Sequence, residues 1–281
     1  MPQDISGYDV GALLYCPANA HHTVAQAVAA ERLPRPFSLA LCLEDTVRAD
    51  ALAAAEQAVE QTLHDLTDTA RQETFYRPLT FVRVRSPEQL ARLGRAYGKY
   101  RPLLTGFILP KFFIETCGAY CAVIRDLQAD GLDYFYMPVF EAPSMLPLHT
   151  RHAALAEVKA QLDALRECIL NIRVGGNDLC HVFGLRRDPG HTIYDLRPVA
   201  DVLTDLLTTF APDYLVAGPV WEYYDGPGWA EGLAQECALD RLNGFVGKTV
   251  IHPKQIPIVN QSLQVSPADY ADAKHILAWD D

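Results

Sequence analysis

Eight short apolar runs, at residues 12–16, 38–43, 80–85, 106–109, 134–140, 169–174, 214–217 and 249–251, set the strongest constraint on this chain. Each is built mostly of Val, Ile, Leu, Phe or Tyr, the pattern of a strand buried on both faces. Amphipathic helical patterns at residues 47–66, 87–97, 115–128, 149–168, 199–210 and 229–242 separate them. Ser86 before Pro87 reads as a helix start, and Asn243-Gly244 as a helix stop. Strands that alternate with helices pair in parallel through right-handed crossovers. Eight such units in 281 residues favour an α/β chain closed into a (β/α)8 TIM barrel, one domain over residues 1–281. An open doubly wound sheet also fits the alternation. However, the chain lacks both GxGxxG after its first strand and GxxxxGK[ST], the phosphate-cradling loops of such folds.

Composition narrows the partners. The net charge is −11 and no run of Lys and Arg stands out, which argues against nucleic acid and anionic membrane surfaces. The longest stretch without a charged side chain, residues 10–30, contains Pro17, Asn19, His21, His22, Thr23 and Gln26, so it does not read as a membrane span. The segment before it carries Asp4 and Asp9 and no basic residue, unlike a signal peptide. Seven cysteines without a CxxC pair read as buried free thiols in a reducing, cytoplasmic compartment.

In a barrel of this kind chemistry sits at the carboxyl ends of the strands. Five of the runs carry a charge there: Glu44-Asp45 after the second, Arg83 and Arg85 in the third, Lys111 after the fourth, Glu141 after the fifth and Asp178 after the sixth. Period-two alternation puts Arg83 and Arg85 on one face, opposite Val82 and Val84, and so inside the barrel. A buried guanidinium needs an anionic partner. That partner is either a structural acid such as Glu44 or Asp45, or an anionic substrate held in the arginine fork. Glu141 and Asp178 end neighbouring strands, and two converging carboxylates with water and an anionic ligand form an oxygen shell suited to Mg2+. Asp178 could instead cap a turn, and Glu141 could pair with Arg83. Gly175 and Gly176 would let the backbone approach a ligand and offer N–H groups to an anion. Asn171 and Arg173 share a face of the sixth run and either could reach the pocket. Met137 and Met145 read as core, and His252 as ordering its own loop. Ser38 and Ser144 have no nucleophile elbow around them.

These pieces together resemble the citrate lyase beta-subunit-like branch of the HpcH/HpaI aldolases, in the phosphoenolpyruvate/pyruvate barrel superfamily. The resemblance runs in order over nearly the whole chain. Leu13-Leu14-Tyr15-Cys16-Pro17-Ala18-Asn19 is similar to that family's opening strand, and Cys42-Leu43-Glu44-Asp45-Thr46-Val47 to its LEDAV signature. Phe81-Val82-Arg83-Val84 is similar to VRVN and Ile108-Leu109-Pro110-Lys111 to LPK. Residues 247–256, GKTVIHPKQI, follow GKxxIHPxQI almost letter for letter.

The resemblance implies a carbon–carbon lyase, or its reverse condensation, acting on a hydroxy- or oxo-acid, with Mg2+ on Glu141 and Asp178. A pyruvate-type aldolase using a free aldehyde and a non-catalytic metal- and acid-binding barrel are the alternatives. Arg83 maps to the substrate-binding arginine, with Arg85, Lys111, Gly175 and Gly176 beside it. Glu44 and Asp45 map near the metal and its waters, so Arg83, Glu44 and Asp45 form the expected catalytic set. Glu115, in a segment closer to the family's ETxxG text, follows Lys111 too soon and is taken as a decoy. The family also implies a CoA or acyl-carrier thioester as partner and a homo-oligomer, a trimer or a multiple of three. Departures include Arg85 in place of Asn, Pro143-Ser144 after the metal glutamate, Asn177 in place of an acid, Ala217 in place of Asp, and His21-His22 in place of basic residues. The chain ends at Asp281, near where relatives continue into a C-terminal lid, so that lid is expected to be absent.

Overall fold

The computed structural model describes residues 5–279, and only the backbone of residues 20–22. The chain runs β1 (Ala12–Pro17), α1 (His21–Ala29), β2 (Ser38–Cys42), α2 (Leu52–Gln72), β3 (Thr80–Arg83), α3 (Pro87–Ala96), β4 (Leu104–Leu109) and α4 (Cys117–Ala129). It continues through β5 (Phe135–Phe140), α5 (Leu148–Asp163), β6 (Ile172–Val174), α6 (Gly176–Val182), α7 (Arg197–Phe210) and β7 (Val216–Ala217). Last come α8 (Trp229–Asn243), β8 (Lys248–Val250), α9 (Ile256–Ser262) and α10 (Pro267–Leu277). The strands pair in parallel in the order β7-β6-β5-β4-β3-β2-β1-β8. The ring closes where Gly218 bridges to Lys248, with Gly218 N–H donating to the Gly247 carbonyl at 3.0 Å. The expected TIM barrel is the fold the chain adopts.

Period-two alternation sorts the strand side chains into two cores. Leu14, Leu41, Val82, Phe107, Tyr136, Ile172 and Val250 face outward and pack under the helices. Leu13, Ala40, Phe81, Ile108, Phe135, Met137 and Val139 fill the barrel interior. The interior is therefore plugged by apolar side chains, and polar chemistry is left to the strand ends. Local signals behave as read. Ser86 Oγ accepts from the Gln89 N–H at 3.3 Å with Pro87 in the first turn of α3. Gly244 ends α8 at a φ of 96°, a left-handed conformation in which a side chain is strained.

The differences have physical causes. The third run stops being strand at Arg83, two residues early. Helices α1, α6, α9 and α10 were not marked in the sequence, because each is short or lies beside Gly and Pro signals that read as loop. All seven cysteines are free and buried. Met137 and Met145 are core residues. Among the described residues no helix is long and apolar enough to cross a membrane.

One buried charged cluster escaped the sequence reading. Lys248 Nζ, at the start of β8, donates to Glu236 Oε1 at 3.0 Å and Asp240 Oδ2 at 2.6 Å on α8. Arg187 donates to the other oxygen of Glu236, and Tyr194 OH donates to Asp240 Oδ1 at 2.6 Å. Burial opposes the charge on Lys248, but Asp240 and Glu236 outweigh it and raise the lysine's pKa. Lys248→Met should leave Asp240 without a cation and lower the unfolding free energy by about 3–5 kcal/mol. Tyr194→Phe, which removes a single hydrogen bond, should cost about 1 kcal/mol. Urea denaturation midpoints for both variants, read beside the native chain, check the contrast.

Candidate active site at the strand ends

A cavity of about 410 Å3 opens at the carboxyl ends of the strands. Its lining includes Tyr15, Asp45, Arg83, Glu141, Arg173, Gly175, Asp178 and Thr249. Arg83 points inward from β3 as alternation requires, and is 7% exposed. Its Nη2 lies 2.8 Å from Glu44 Oε2, 2.9 Å from Glu141 Oε1 and 3.3 Å from Asp45 Oδ2. One guanidinium thus gathers the acids that follow β2 and β5, and its face lies 5.8 Å from the Tyr15 ring. Lys111 completes the arrangement from the end of β4. Its Nζ donates to Glu44 Oε1 at 2.7 Å and its N–H to Glu141 Oε1 at 3.0 Å, from a backbone at a left-handed φ of 49°.

The acids respond to this crowding. Burial raises Glu141 to about 7, helped by the charges of Asp178 and Glu44 and opposed by Arg83 and the Lys111 N–H. Burial also pushes Asp45 up to about 6, with Glu44 and Asp178 adding to it. Glu44 goes the other way: burial would raise it, but its hydrogen bonds to Asp45 and Lys111 and the charge of Arg83 hold it low. Negative charge is in excess here, which is what a cation seat needs. Asp178 stands in the first turn of α6, which no side chain caps, so the capping role does not account for it. Among the described residues no three His, Cys, Asp or Glu side chains converge as a complete cage. Two carboxylates with the remaining positions left to water and substrate oxygens is the usual magnesium arrangement, so the residues fit that ion.

Other expected residues sit elsewhere. Arg85 does not line the cavity, because β3 ends at Arg83 and the alternation that would turn residue 85 inward is lost. Its guanidinium instead donates to the carbonyls of Leu43 at 2.6 Å, Glu44 at 3.1 Å and Val47, bracing the loop that carries Glu44 and Asp45. The side chain of Lys111 is engaged by Glu44 rather than turned to the cavity. Gly175 is small for the sake of Glu141: a Cβ there would fall 2.2 Å from Glu141 Oε2. Its N–H already donates to the Phe140 carbonyl at 3.1 Å. Gly176 makes room for packing, since its Cβ would fall 2.6 Å from Ile193 Cδ1. These contacts account for the smallness of both glycines, and Gly175 also lines the cavity. Glu115 is exposed just before α4 and away from the cavity. His252 orders its loop, with Nδ1 accepting from the Lys254 N–H at 3.2 Å and the ring stacked on Tyr224. The side chains of His21 and His22 lie outside the described residues.

Three contributors were missed or left unplaced: Tyr15, Arg173 and Thr249. The same period-two count that found Arg83 would have placed Tyr15 inward two residues after Leu13, and Thr249 inward one residue before Val250. Gln255 was also passed over. Its Oε1 accepts from the Ile251 and His252 N–H groups and its Nε2 donates to the Trp221 and Tyr223 carbonyls, stitching the loop after β7 to the end of β8.

Comparison with known proteins places this geometry in company. Residues 4–281 match the family described as C-C bond lyase of the TIM-barrel fold. A (3S)-malyl-CoA thioesterase of Cereibacter sphaeroides is 33% identical over 105 residues, which make up 37% of this chain and 34% of that protein. The match therefore spans about a third of the curated relative. Among solved structures, RipC from Yersinia pestis superposes with a TM-score of 0.64 at 17% identity, over 94% of this chain and all of that one. The citrate lyase beta subunit from M. tuberculosis, complexed with oxaloacetate and magnesium, gives 0.62 at 22% identity over 92% of this chain and 100% of that one. The Mycobacterium tuberculosis protein CitE with magnesium, acetoacetate and coenzyme A gives 0.62 at 24% identity, over 95% of this chain and 86% of that one.

Replacing Arg85 tests the bracing role directly. Arg85→Met frees three carbonyl groups and should lower stability by about 1–3 kcal/mol, seen as a reduced midpoint in thermal unfolding. An unchanged midpoint would mean the loop does not depend on it.

Proposed function

Because the chain belongs to the carbon–carbon bond lyase family of the TIM-barrel fold, we propose that it cleaves, or in reverse forms, a carbon–carbon bond in a hydroxy- or oxo-acid bound with magnesium at Glu141 and Asp178. The observation that carries this reading is the excess of negative charge beside Arg83, with Glu141 and Asp45 both raised by burial and by the charges of Glu44 and Asp178 at the mouth of one cavity. A magnesium ion held by Glu141 and Asp178 would supply a Lewis acid for the oxygens of the substrate. The chain's own residues do the rest. Arg83 holds positive charge where negative charge develops as the bond breaks. Glu44 and Lys111 hold Arg83 and Glu141 in place, and Asp45, poised near 6, exchanges a proton with bound water or substrate.

The malyl-CoA thioesterase match and the coenzyme A complex of a structural neighbour support an acid delivered as a CoA or acyl-carrier thioester. We further propose a homo-oligomer, a trimer or a multiple of three, working in the cytoplasm. Along α10 and just beyond it, Tyr270, Ile276, Leu277 and Trp279 are exposed, which supports association.

Glu141→Gln and Asp178→Asn should each weaken magnesium binding strongly and leave the fold intact, whereas Glu115→Gln should change nothing. Calorimetric titration with magnesium decides, and unchanged affinity in both site variants would remove the metal from this position. Arg83→Lys keeps the charge but loses the fork. It should lower the cleavage rate by about 10²–10³ with magnesium affinity nearly unaltered. A destabilised Arg83→Lys protein that binds oxo-acids normally would make Arg83 structural only. For the assembly, sedimentation at micromolar concentration should show a multiple of three, and a monomer would defeat it.

A further inference from the structure

Two arginines face the same cavity, and they are not alike. Arg83 is surrounded by carboxylates, and the charges of Glu141 and Glu44 raise its pKa against the effect of burial. Arg173, on β6, is 1% exposed and stands level with Val139 of β5, one layer below the strand ends. Among the described residues no carboxylate pairs with it, and burial lowers its pKa. Its partners are neutral: Nη2 donates to Thr249 Oγ1 at 2.6 Å, Nη1 reaches Asn171 Oδ1 at 3.5 Å, and the Tyr15 phenol stands beside it. Its Nε, like that of Arg83, is buried and has no hydrogen-bond partner, so the difference between the two lies in the carboxylates that Arg83 has and Arg173 lacks. A fully buried cation with neutral partners and an unfilled donor is an unfavourable arrangement for a chain to keep. It becomes favourable when an anion enters the cavity it lines.

We infer that Arg173, oriented by Thr249 and Asn171 and flanked by Tyr15, is an anion-binding subsite at the cavity floor that holds a second carboxylate of the substrate. The inference rests on the lyase reading and adds to it. There the carboxylate and adjacent oxygen at the reacting end face Glu141 and Asp178, and Arg83 is already matched by acids of the chain. Arg173 is left over, and only a ligand with a further anionic group satisfies it. The substrate class is accordingly a small hydroxy- or oxo-acid with two free carboxylates, and a thioester of it must keep both of them beside the thioester group.

Racemic malate and racemic lactate differ by that one carboxylate, and neither offers a keto group for side reactions. With the full magnesium-loaded chain, calorimetry should show malate binding at least tenfold more tightly than lactate. Arg173→Met should weaken malate about ten- to a hundredfold and change lactate less than about threefold, which removes the margin. Thr249→Val, a milder change, should narrow the margin several-fold, and it serves if the Arg173→Met chain does not fold. A native chain with no preference for malate, equal losses of both acids, or a margin that survives these substitutions would overturn the subsite. Failure of the lyase reading shows differently, as magnesium-independent binding or none of either acid to the native chain.

Discussion

Everything at the working end of this barrel depends on the Arg83 guanidinium. It joins Glu44, Asp45 and Glu141, which arrive from two strands on either side of β3 and its neighbour β4. Without a cation among them these acids would repel one another in a poorly solvated space and would be held only by the backbone. With it, and with Lys111 donating from both ends of its residue, the acids are fixed before any ligand arrives. Such advance placement of charge is the largest contribution a protein makes to stabilising a reacting group.

The barrel divides its labour along its axis. Ion pairs among Lys248, Glu236, Asp240 and Arg187 lie between the start of β8 and helix α8, fully matched in charge and sealed from solvent. They specify how the last unit docks. Around the cavity the charges are unmatched: acids exceed cations around Glu141, and among the described residues one cation, Arg173, lacks an acid. Matched charge marks the structural cluster and mismatched charge the cavity, where the chemistry of such barrels resides.

The fold was legible because parallel buried strands write themselves as short apolar runs, and eight of them leave little choice of architecture. Arg83, Glu141 and Asp178 were legible for a related reason, since charge at the end of an apolar run has few structural excuses. Arg85 was misplaced because alternation holds only while the strand lasts, and nothing in Val84-Arg85-Ser86 announces that β3 has already ended. Gly175 and Gly176 looked like a ligand cradle, yet their smallness answers to Glu141 and Ile193, neighbours that only the folded chain reveals. The pairing of Lys248 with Glu236 and Asp240 was invisible because it joins a strand to the preceding helix face across a turn of unknown geometry. Whether an inward arginine has an anionic partner is likewise a property of the assembled barrel, not of its strand.

The seam between β7 and β8 carries a kinetic consequence. These strands hold only two and three residues, and the ring is completed there by two backbone hydrogen bonds, Gly218 N–H to Gly247 and Val246 N–H to Val216, and by the four-way amide of Gln255. Fewest ladder bonds per strand means the lowest cost of local opening. Local opening of the barrel is therefore expected to start at this seam, with its backbone amides exchanging with solvent sooner than those of β1 to β4. Val220, Thr249 and Ile251 stand on either side of it in the cavity wall. The side of the cavity with the weakest ladder is thus the side opposite the acid cluster, and parting it would also release Arg173 from Thr249.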